Sequence, residues 1–368
     1  MGLEDLNRKE EYVRRAIAKS EHPYFGKFQQ IVNGNLVLGE DQREYSLFLR
    51  KDPFGTNVCR ISEVRAKRPR AIGEVVLEIK PQEECVFCPP KINEDTPEPK
   101  IIHGHGITNE TPYEIVSVPN LHPFSPDHYV TIFSSHKPNL IDLTAPDLVA
   151  YVNSLYDLAN RFKRNGALGM WDFINWGPAA GASQSHPHAQ RGPIIEEMLG
   201  SDMDSVYSVR ESGLVSKLAY QRGGDPYENH LNQLRKSDLF IFESGGEGGI
   251  FIYAPLAPKF PHQVDITVKR KVGNVLQLEK GERELIAGSM LGVFRALAEK
   301  LGVTDVNVVL HQELFHLSNK SHYRMHWHIM PRNLNSMAGF ELGVGPYVVP
   351  FFPEETASVL REHYGGKW

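Results

Sequence analysis

Apolar positions recur at intervals of three and four residues in two long stretches of the chain. In 144–165, Leu148, Val152, Leu155, Tyr156, Ala159 and Phe162 fall on one helical face. Thr144 is placed to cap that helix, Pro146 sits early where its missing N–H costs nothing, and Gly166 ends it. In 282–301, Leu285, Ile286, Met290, Val293, Phe294, Leu297 and Leu301 repeat the pattern, and Gly302 follows. A strand-like alternation precedes each helix, at 126–133 and 261–268, and another follows it, at 170–176 and 306–311. After each second strand comes a His-x-His: His186-Pro187-His188 and His326-Trp327-His328. Four elements in the same order, twice, predict an internal duplication of an α+β unit.

The rest of the chain is assigned around those units. Residues 1–44 read as a helical appendage, 45–200 as the N-terminal repeat and 250–368 as the C-terminal repeat. Between them 201–249 reads as a linker, because QRGGDPYENH and ESGGEGG are rich in glycine and charge. A length of 368 residues suits one large or two modest domains. With 40 Lys+Arg against 45 Asp+Glu the net charge is −5, which supplies no footprint for nucleic acid. No apolar run approaches the roughly 18 residues of a membrane span. The first residues alternate in charge without an apolar core, and Leu6 stands where a myristoylation signal needs Ser or Thr. The expectation is a cytoplasmic protein with no membrane partner.

Histidine usage adds chemistry to this outline. Of 16 histidines, twelve fall in three windows, 101–136, 186–188 and 311–328, a clustering that suggests metal ligation or phosphate chemistry. Cys85 and Cys88 have the spacing of a metal knuckle, and with one further cysteine in the chain a disulfide framework is excluded. No second C-x-x-C exists, so a metal held there needs two histidines; a buried or redox-active pair is the other reading. Residues 175–190 read NWGPAAGASQSHPHAQ. The small residues at 177–183 let backbone approach an anion closely, and Ser183 offers a hydroxyl to phosphate. In an extended segment His186 and His188 share a face, so a metal gripping His186 would hold His188 rigidly. A neutral imidazole is a competent nucleophile at phosphorus. Gln190, next on that face, can hydrogen-bond phosphate but cannot shuttle a proton, which suits a phosphate leaving group.

These residues resemble those of the galactose-1-phosphate uridylyltransferase family, including its ADP-glucose phosphorylase-like members, within the histidine-triad superfamily. The resemblance spans about residues 45–362 and five ordered motifs: Leu49-Arg50-Lys51-Asp52-Pro53, Arg65-Ala66-Lys67-Arg68-Pro69, Cys85-Val86-Phe87-Cys88, His186-Pro187-His188-Ala189-Gln190 and Gly339-Phe340-Glu341-Leu342-Gly343. It implies two tandem histidine-triad-like repeats, each an antiparallel sheet with a packed helix. His188 is then the nucleophile that forms a nucleotidyl-histidine, and Gln190 contacts its phosphate. Cys85, Cys88, His136 and His186 match zinc ligands. Arg65 and Arg68 match a phosphate-binding pair, while Asn120, Asn175, Gly181 and Ser183 resemble nucleotide and phosphate contacts. Glu341 matches a sugar-hydroxyl ligand contributed across a homodimer interface. Val86, Phe87, Asn120 and Leu121 are expected around the base. His311, His326 and His328 resemble a second metal site, for iron or zinc, with an acid from Glu197, Asp202 or Asp204. The second His-x-His has Met330 where the first has Gln190, and is not expected to be catalytic.

The activity the resemblance implies is transfer of a nucleoside monophosphate between a nucleotide sugar and a phosphate acceptor. The first form is UDP-glucose–hexose-1-phosphate uridylyl transfer, with sugar 1-phosphate as acceptor. Asn335 and Tyr347 stand where hexose-binding Lys and Gln are expected, a departure that leans toward phosphorylase-like use of inorganic phosphate. A histidine-triad hydrolase would carry histidine where Gln190 stands. A non-catalytic zinc-stabilised nucleotide-binding protein would leave His188 and Gln190 without a use.

Overall fold

The computed structural model describes residues 28–30, 36–38, 41–43, 47–54, 57–61, 79–103, 115–199, 206–246, 248–317, 322–332, 339–343 and 345–364, with backbone alone before Arg50. The strands are β1 (Phe28–Gln30), β2 (Leu36–Leu38), β3 (Asp41–Arg43), β4 (Leu47–Lys51), β5 (Val58–Ile61), β6 (Ile101–His103), β7 (Ile115–Pro119), β8 (Tyr129–Phe133), β9 (Gly169–Trp176), β10 (His188–Ile194), β11 (Phe240–Glu243), β12 (Ile250–Tyr253), β13 (Val264–Val268), β14 (Val306–His311), β15 (His326–Pro331) and β16 (Tyr347–Val349). The helices are α1 (Lys91–Glu94), α2 (Ala145–Arg164), α3 (Tyr207–Arg222), α4 (Pro226–Leu234), α5 (Lys280–Leu301), α6 (Gly339–Gly343) and α7 (Pro353–Tyr364). Among the described residues no helix is long and apolar enough to cross a membrane.

Ten strands form one antiparallel sheet in the order β11-β12-β13-β15-β14-β9-β10-β8-β7-β6. Outward from its centre the order β9-β10-β8-β7-β6 on one side matches β14-β15-β13-β12-β11 on the other, and the two halves join where β9 pairs with β14. Helix α2 precedes β9 and α5 precedes β14, as the apolar spacing predicts. Both helices pack on one face of the sheet and against each other. Leu148, Val152, Leu155, Ala159 and Phe162 of α2 and Ile286, Met290, Val293, Phe294 and Leu297 of α5 are buried there. Each large side chain so covered contributes roughly 1.5–3 kcal/mol. The ends follow local chemistry. Thr144 and Asp147 form a capping box for α2, and Gly302 (φ 63°) closes α5 in the left-handed conformation. A smaller sheet, β1-β4-β5-β16, stands apart from the large one.

Two expectations need correction. The stretch 201–249 contains α3, α4 and β11 rather than patternless linker. Helix α3 turns Ser208, Glu211 and Ser212 inward along with Val209 and Val215, so hydrophobic spacing does not reveal its buried face. Helix α4 begins at Asp225, whose side chain accepts from the Tyr227 and Glu228 amides, with Pro226 in the first turn; what looked like loop punctuation is a cap. Within 1–44 the described residues are strands, not helix: β2 pairs with β3, and β1 pairs with β4. These are short extended runs, and sheet pairing satisfies their backbone groups.

Beneath β10, on the helix-covered face, Arg191 is fully buried. Its Nε donates to Asp172 Oδ1 at 2.6 Å, its Nη1 to Ser154 Oγ at 2.6 Å and its Nη2 to the Tyr151 carbonyl at 3.2 Å. Tyr151 donates to the other Asp172 oxygen at 2.5 Å. This network ties β9, β10 and α2 together with its charges satisfied. Removing one partner leaves a buried charge unpaired. Arg191→Met is therefore expected to lower the unfolding free energy by about 3–5 kcal/mol, read from urea denaturation; a change below about 1 kcal/mol, the range of an exposed pair, would contradict this role.

Candidate active site and metal-ligand clusters

Side chains alternate along a strand, so residues 188 and 190 of β10 share the sheet face opposite the helices. The register pairs Gln190 with Phe173 and Val130, and the next step beyond Ala189–Ile174 sets His188 beside Asn175. Asn175 in turn pairs with Asn307 of β14. His188 is buried, and its Nδ1 donates to the His186 carbonyl at 2.9 Å. A neutral ring bonded this way carries its lone pair on Nε2. Burial pushes the imidazolium form down in pKa, with the His186 carbonyl pulling the other way. The Phe87 ring lies 5.3 Å from the His188 ring, edge to face.

The turn from β9 to β10 passes over this row. Gly177 (φ 81°) and Gly181 (φ 85°) take left-handed conformations, and a Cβ at 177 would come within 2.3 Å of Asp305 Oδ1. Asp305 Oδ1 accepts from the Ala179 amide at 2.8 Å. Ser183 is exposed on the same turn. On the other side of His188, the Gln190 amide oxygen is 3.0 Å from His128 Nε2, and Asn120 Nδ2 is 3.1 Å from that same nitrogen. His128 is buried between Phe124 and Trp171, with ring centroids at 4.3 and 5.1 Å. Trp171 lies across Gly192, where a Cβ would come within 2.3 Å of the indole.

Behind His188, Cys85, Cys88, His136 and His186 point one ligand atom each at a common centre, all within 4.8 Å of one another. Cys88 Sγ is 3.3 Å from both His136 Nδ1 and His186 Nδ1, Cys85 Sγ is 3.6 Å from His186 Nδ1, and the two Nδ1 atoms are 3.2 Å apart. Tetrahedral bonds of about 2.3 Å to sulfur and 2.0–2.1 Å to nitrogen place ligand atoms about 3.3–3.6 Å apart. The far nitrogens match this too: His186 Nε2 donates to the Phe133 carbonyl at 2.7 Å and His136 Nε2 to the Lys80 carbonyl at 3.0 Å, so both Nδ1 lone pairs face the centre. Burial pushes the Cys88 thiol up to about 12, reinforced by Cys85, and holds His186 down to about 4. Two sulfurs and two nitrogens at this spacing, with both imidazole lone pairs turned inward, fit a metal ion.

A second group, Glu211, His311, His326 and His328, converges on the same sheet face of the other half. Glu211 Oε2 is 2.7 Å from His311 Nδ1, and Glu211 Oε1 is 3.6 Å from His326 Nε2. His328 Nδ1 donates to Asp265 Oδ1 at 2.7 Å, and His326 Nδ1 to the Arg324 carbonyl at 3.0 Å. Burial opposes the Glu211 charge, yet His326 and His311 hold its carboxyl well below the usual range. Burial first, and His328 second, hold His311 down to about 3. Among the described residues the acid that joins the three histidines is Glu211 of α3; Glu197 is not in the group, and Asp202 and Asp204 lie outside the described residues.

No protein-family model matches the chain. It is 25% identical to the ADP-glucose phosphorylase of Arabidopsis thaliana over 358 residues, 88% of this chain and 95% of that protein. It is 26% identical to the galactose-1-phosphate uridylyltransferase of Thermotoga maritima over 205 residues, 52% of this chain and 58% of that one. The chain is a relative of the galactose-1-phosphate uridylyltransferases and the ADP-glucose phosphorylases. Its fold matches the crystal structure of an ADP-glucose phosphorylase from Arabidopsis thaliana with bound ADP-glucose, at a TM-score of 0.67 and 22% identity, over 85% of this chain and 98% of that one.

For a relative of these uridylyltransferases and phosphorylases, the expected residues divide into three groups. His188, Gln190, Asn120, Asn175, Gly181 and Ser183 lie on one sheet face or the turn over it, and Phe87 stands beside them. Glu341 is buried in α6 beside β16, and Tyr347 opens β16 opposite Cys59 in the smaller sheet; Leu121 is exposed. Arg65, Arg68 and Asn335 lie outside the described residues. Reading the sequence missed His128, Glu211, Asp265 and Asn307. His128 belonged to a dense histidine window but carried no motif; Asp265 and Asn307 meet their partners through sheet register, and Glu211 meets His311 and His326 by the packing of α3. Cys88→Ala is expected to remove about one metal ion per chain, measured by elemental analysis of the purified protein. Unchanged metal content would show that the four side chains converge for another reason.

Proposed function

We infer that the protein is a nucleotidyltransferase in which His188 carries the nucleotide between two phosphate-bearing substrates. The single observation that supports this most is the setting of His188: buried, its imidazolium form disfavoured by that burial, its Nδ1 donating to the carbonyl of a residue that itself belongs to the Cys–His cluster, its Nε2 without a hydrogen-bond partner among the described residues. The Nε2 lone pair attacks the α-phosphorus of a nucleotide sugar. A P–N bond forms, the bridging P–O bond breaks, and its electron pair leaves with a sugar 1-phosphate that needs no proton. An oxygen of the second phosphate compound then attacks the same phosphorus, and the P–N bond breaks. Nothing in either step calls for a strong general base, which agrees with Gln rather than His at 190. Gln190, Asn175, Ser183 and the glycine turn offer donors to the non-bridging oxygens, the largest expected contribution to rate. Arg65, Arg68 and Glu341 enter the proposal as phosphate and sugar ligands on the resemblance alone.

Zinc suits the Cys85, Cys88, His136 and His186 set, because two sulfurs and two nitrogens at tetrahedral spacing are what that ion prefers. It would act as an anchor, holding His186 and hence the His188 ring. Glu211, His311, His326 and His328, three nitrogens and a carboxylate, suit iron or zinc equally well. The mirrored strand order of the sheet supports tandem histidine-triad-like repeats, the N-terminal one reactive and the C-terminal one structural. A homodimer completing the sugar site through Glu341 and a cytoplasmic location belong to the same reading.

UDP-glucose–hexose-1-phosphate uridylyl transfer is the first form of this reaction. Use of inorganic phosphate is the second, and a specific observation favours it: the similarity to the ADP-glucose phosphorylase runs through 88% of the chain, against 52% for the uridylyltransferase. Incubation with α-labelled UDP-glucose or ADP-glucose should yield acid-labile label on the protein, and His188→Ala should abolish it. Chase with galactose 1-phosphate or with inorganic phosphate then identifies the acceptor by which one discharges the label. Labelling that survives His188→Ala would refute the nucleophile. Absence of label from both sugars would leave the non-catalytic zinc-stabilised nucleotide-binding reading.

A further inference from the structure

An asparagine beside a phosphate helps only if its NH2 end faces the oxygens, since a carbonyl oxygen turned toward them repels. Asn175, alongside His188, has its amide engaged by a polar chain that begins in the C-terminal half. Arg332 follows β15 directly, its guanidinium lies 4.6 Å over the Phe260 ring, and its backbone N donates to the Asp305 carbonyl at 2.8 Å. Its Nη1 donates to Asn307 Oδ1. A guanidinium has donors and no acceptor, so the oxygen end of the Asn307 amide must face it. The Asn307 NH2 is thereby turned away, and it donates to Asn175 Oδ1 at 2.8 Å and to the Ala180 carbonyl at 2.9 Å. With its oxygen taken, Asn175 directs Nδ2 toward Gly181, where even a Cβ would stay 3.9 Å away. The missing side chain at 181 leaves those N–H groups uncovered on the reactive face.

We propose that Arg332, acting through Asn307, is a positioning residue that holds the Asn175 amide with its donors toward the phosphoryl group on His188. The inference rests on the nucleotidyl-transfer reading above for the identity of the anion, and on the hydrogen-bond chain alone for the direction of the amide. Neither Arg332 nor Asn307 lies in the five motifs of the resemblance. The C-terminal half, whose own His-x-His lacks the glutamine, thus contributes to the reaction site of the other half by setting the polarity of one amide.

Two variants separate this role from a structural one. Asn307→Asp keeps the shape and still accepts from Arg332 but cannot donate, so Asn175 must turn its NH2 toward the new carboxylate. Arg332→Met removes the donor that orients Asn307 without adding charge, and Arg332→Lys restores a donor-only group. Loss of one well-placed donor to a developing anion costs on the order of 10²–10³ in rate at the upper end. The expectation for Asn307→Asp and Arg332→Met is about a ten- to hundred-fold slower labelling of His188 by the nucleotide sugar that labels the parent, with metal content and urea midpoint unchanged. Arg332→Lys should recover part of the loss.

Alongside, selective 15N-asparagine labelling reads the Asn175 carboxamide directly, assigned by its disappearance in Asn175→Ala. Its two proton shifts should move in Asn307→Asp and Arg332→Met and return toward the parent in Arg332→Lys. Unmoved Asn175 resonances in both damaging variants, or undiminished labelling in variants of a parent that labels, would overturn the proposal. A parent that takes no label while the resonances behave as expected would instead sink the nucleotidyl-transfer reading and leave the relay standing.

Discussion

The antiparallel pairing of β9 with β14 is the constraint on which the remaining geometry rests. It merges two five-stranded halves into one sheet, so the side on which each side chain appears is decided by a register running across ten strands. A slip of one residue at that join would turn Asn307 from the face that carries His188 into the helix-packed core. The helices α2 and α5 press on the seam from the opposite side, where Arg283 Nε also donates to Asn153 Oδ1 at 2.8 Å. Burial on one face therefore secures alignment on the other.

The two His-x-His strands differ in what stands behind the second histidine. In β10 the second histidine has its Nδ1 bonded to a neutral carbonyl, and its Nε2 has no hydrogen-bond partner among the described residues. In β15 the corresponding His328 is bonded to the Asp265 carboxylate, and its neighbours are a glutamate and two further histidines. A carboxylate behind the ring strengthens it as a ligand, and crowding by other donors removes the open approach a nucleophile needs. Met330 stands where the first His-x-His strand has Gln190.

Much of the fold could be read from the chain because burial there is carried by apolar side chains. The spacing of Leu148, Val152, Leu155 and Phe162, and of Met290, Val293, Phe294 and Leu297, is a local record of which face is covered. Helix α3 left no such record, since its inward positions include Ser208, Glu211 and Ser212, and with it the acid of the second cluster was hidden. The Cys85 and Cys88 pair and the candidate pair His188 and Gln190 were visible because each lies within a few residues in sequence. Partners such as His128 for Gln190 and Asn307 for Asn175 were not, because they meet across strands separated by 62 and 132 residues.

Gly192 offers a last point about how function is distributed along the chain. The bare backbone there is what lets Trp171 lie flat across β10, and Trp171 forms one wall of the slot that holds His128 against Gln190. Any side chain at 192 would lift the indole and loosen that wall. In an evolving population this position would therefore disfavour any side chain, although a glycine carries no reactive atom. Mutational intolerance here would record the shape of an empty space rather than the chemistry of a group.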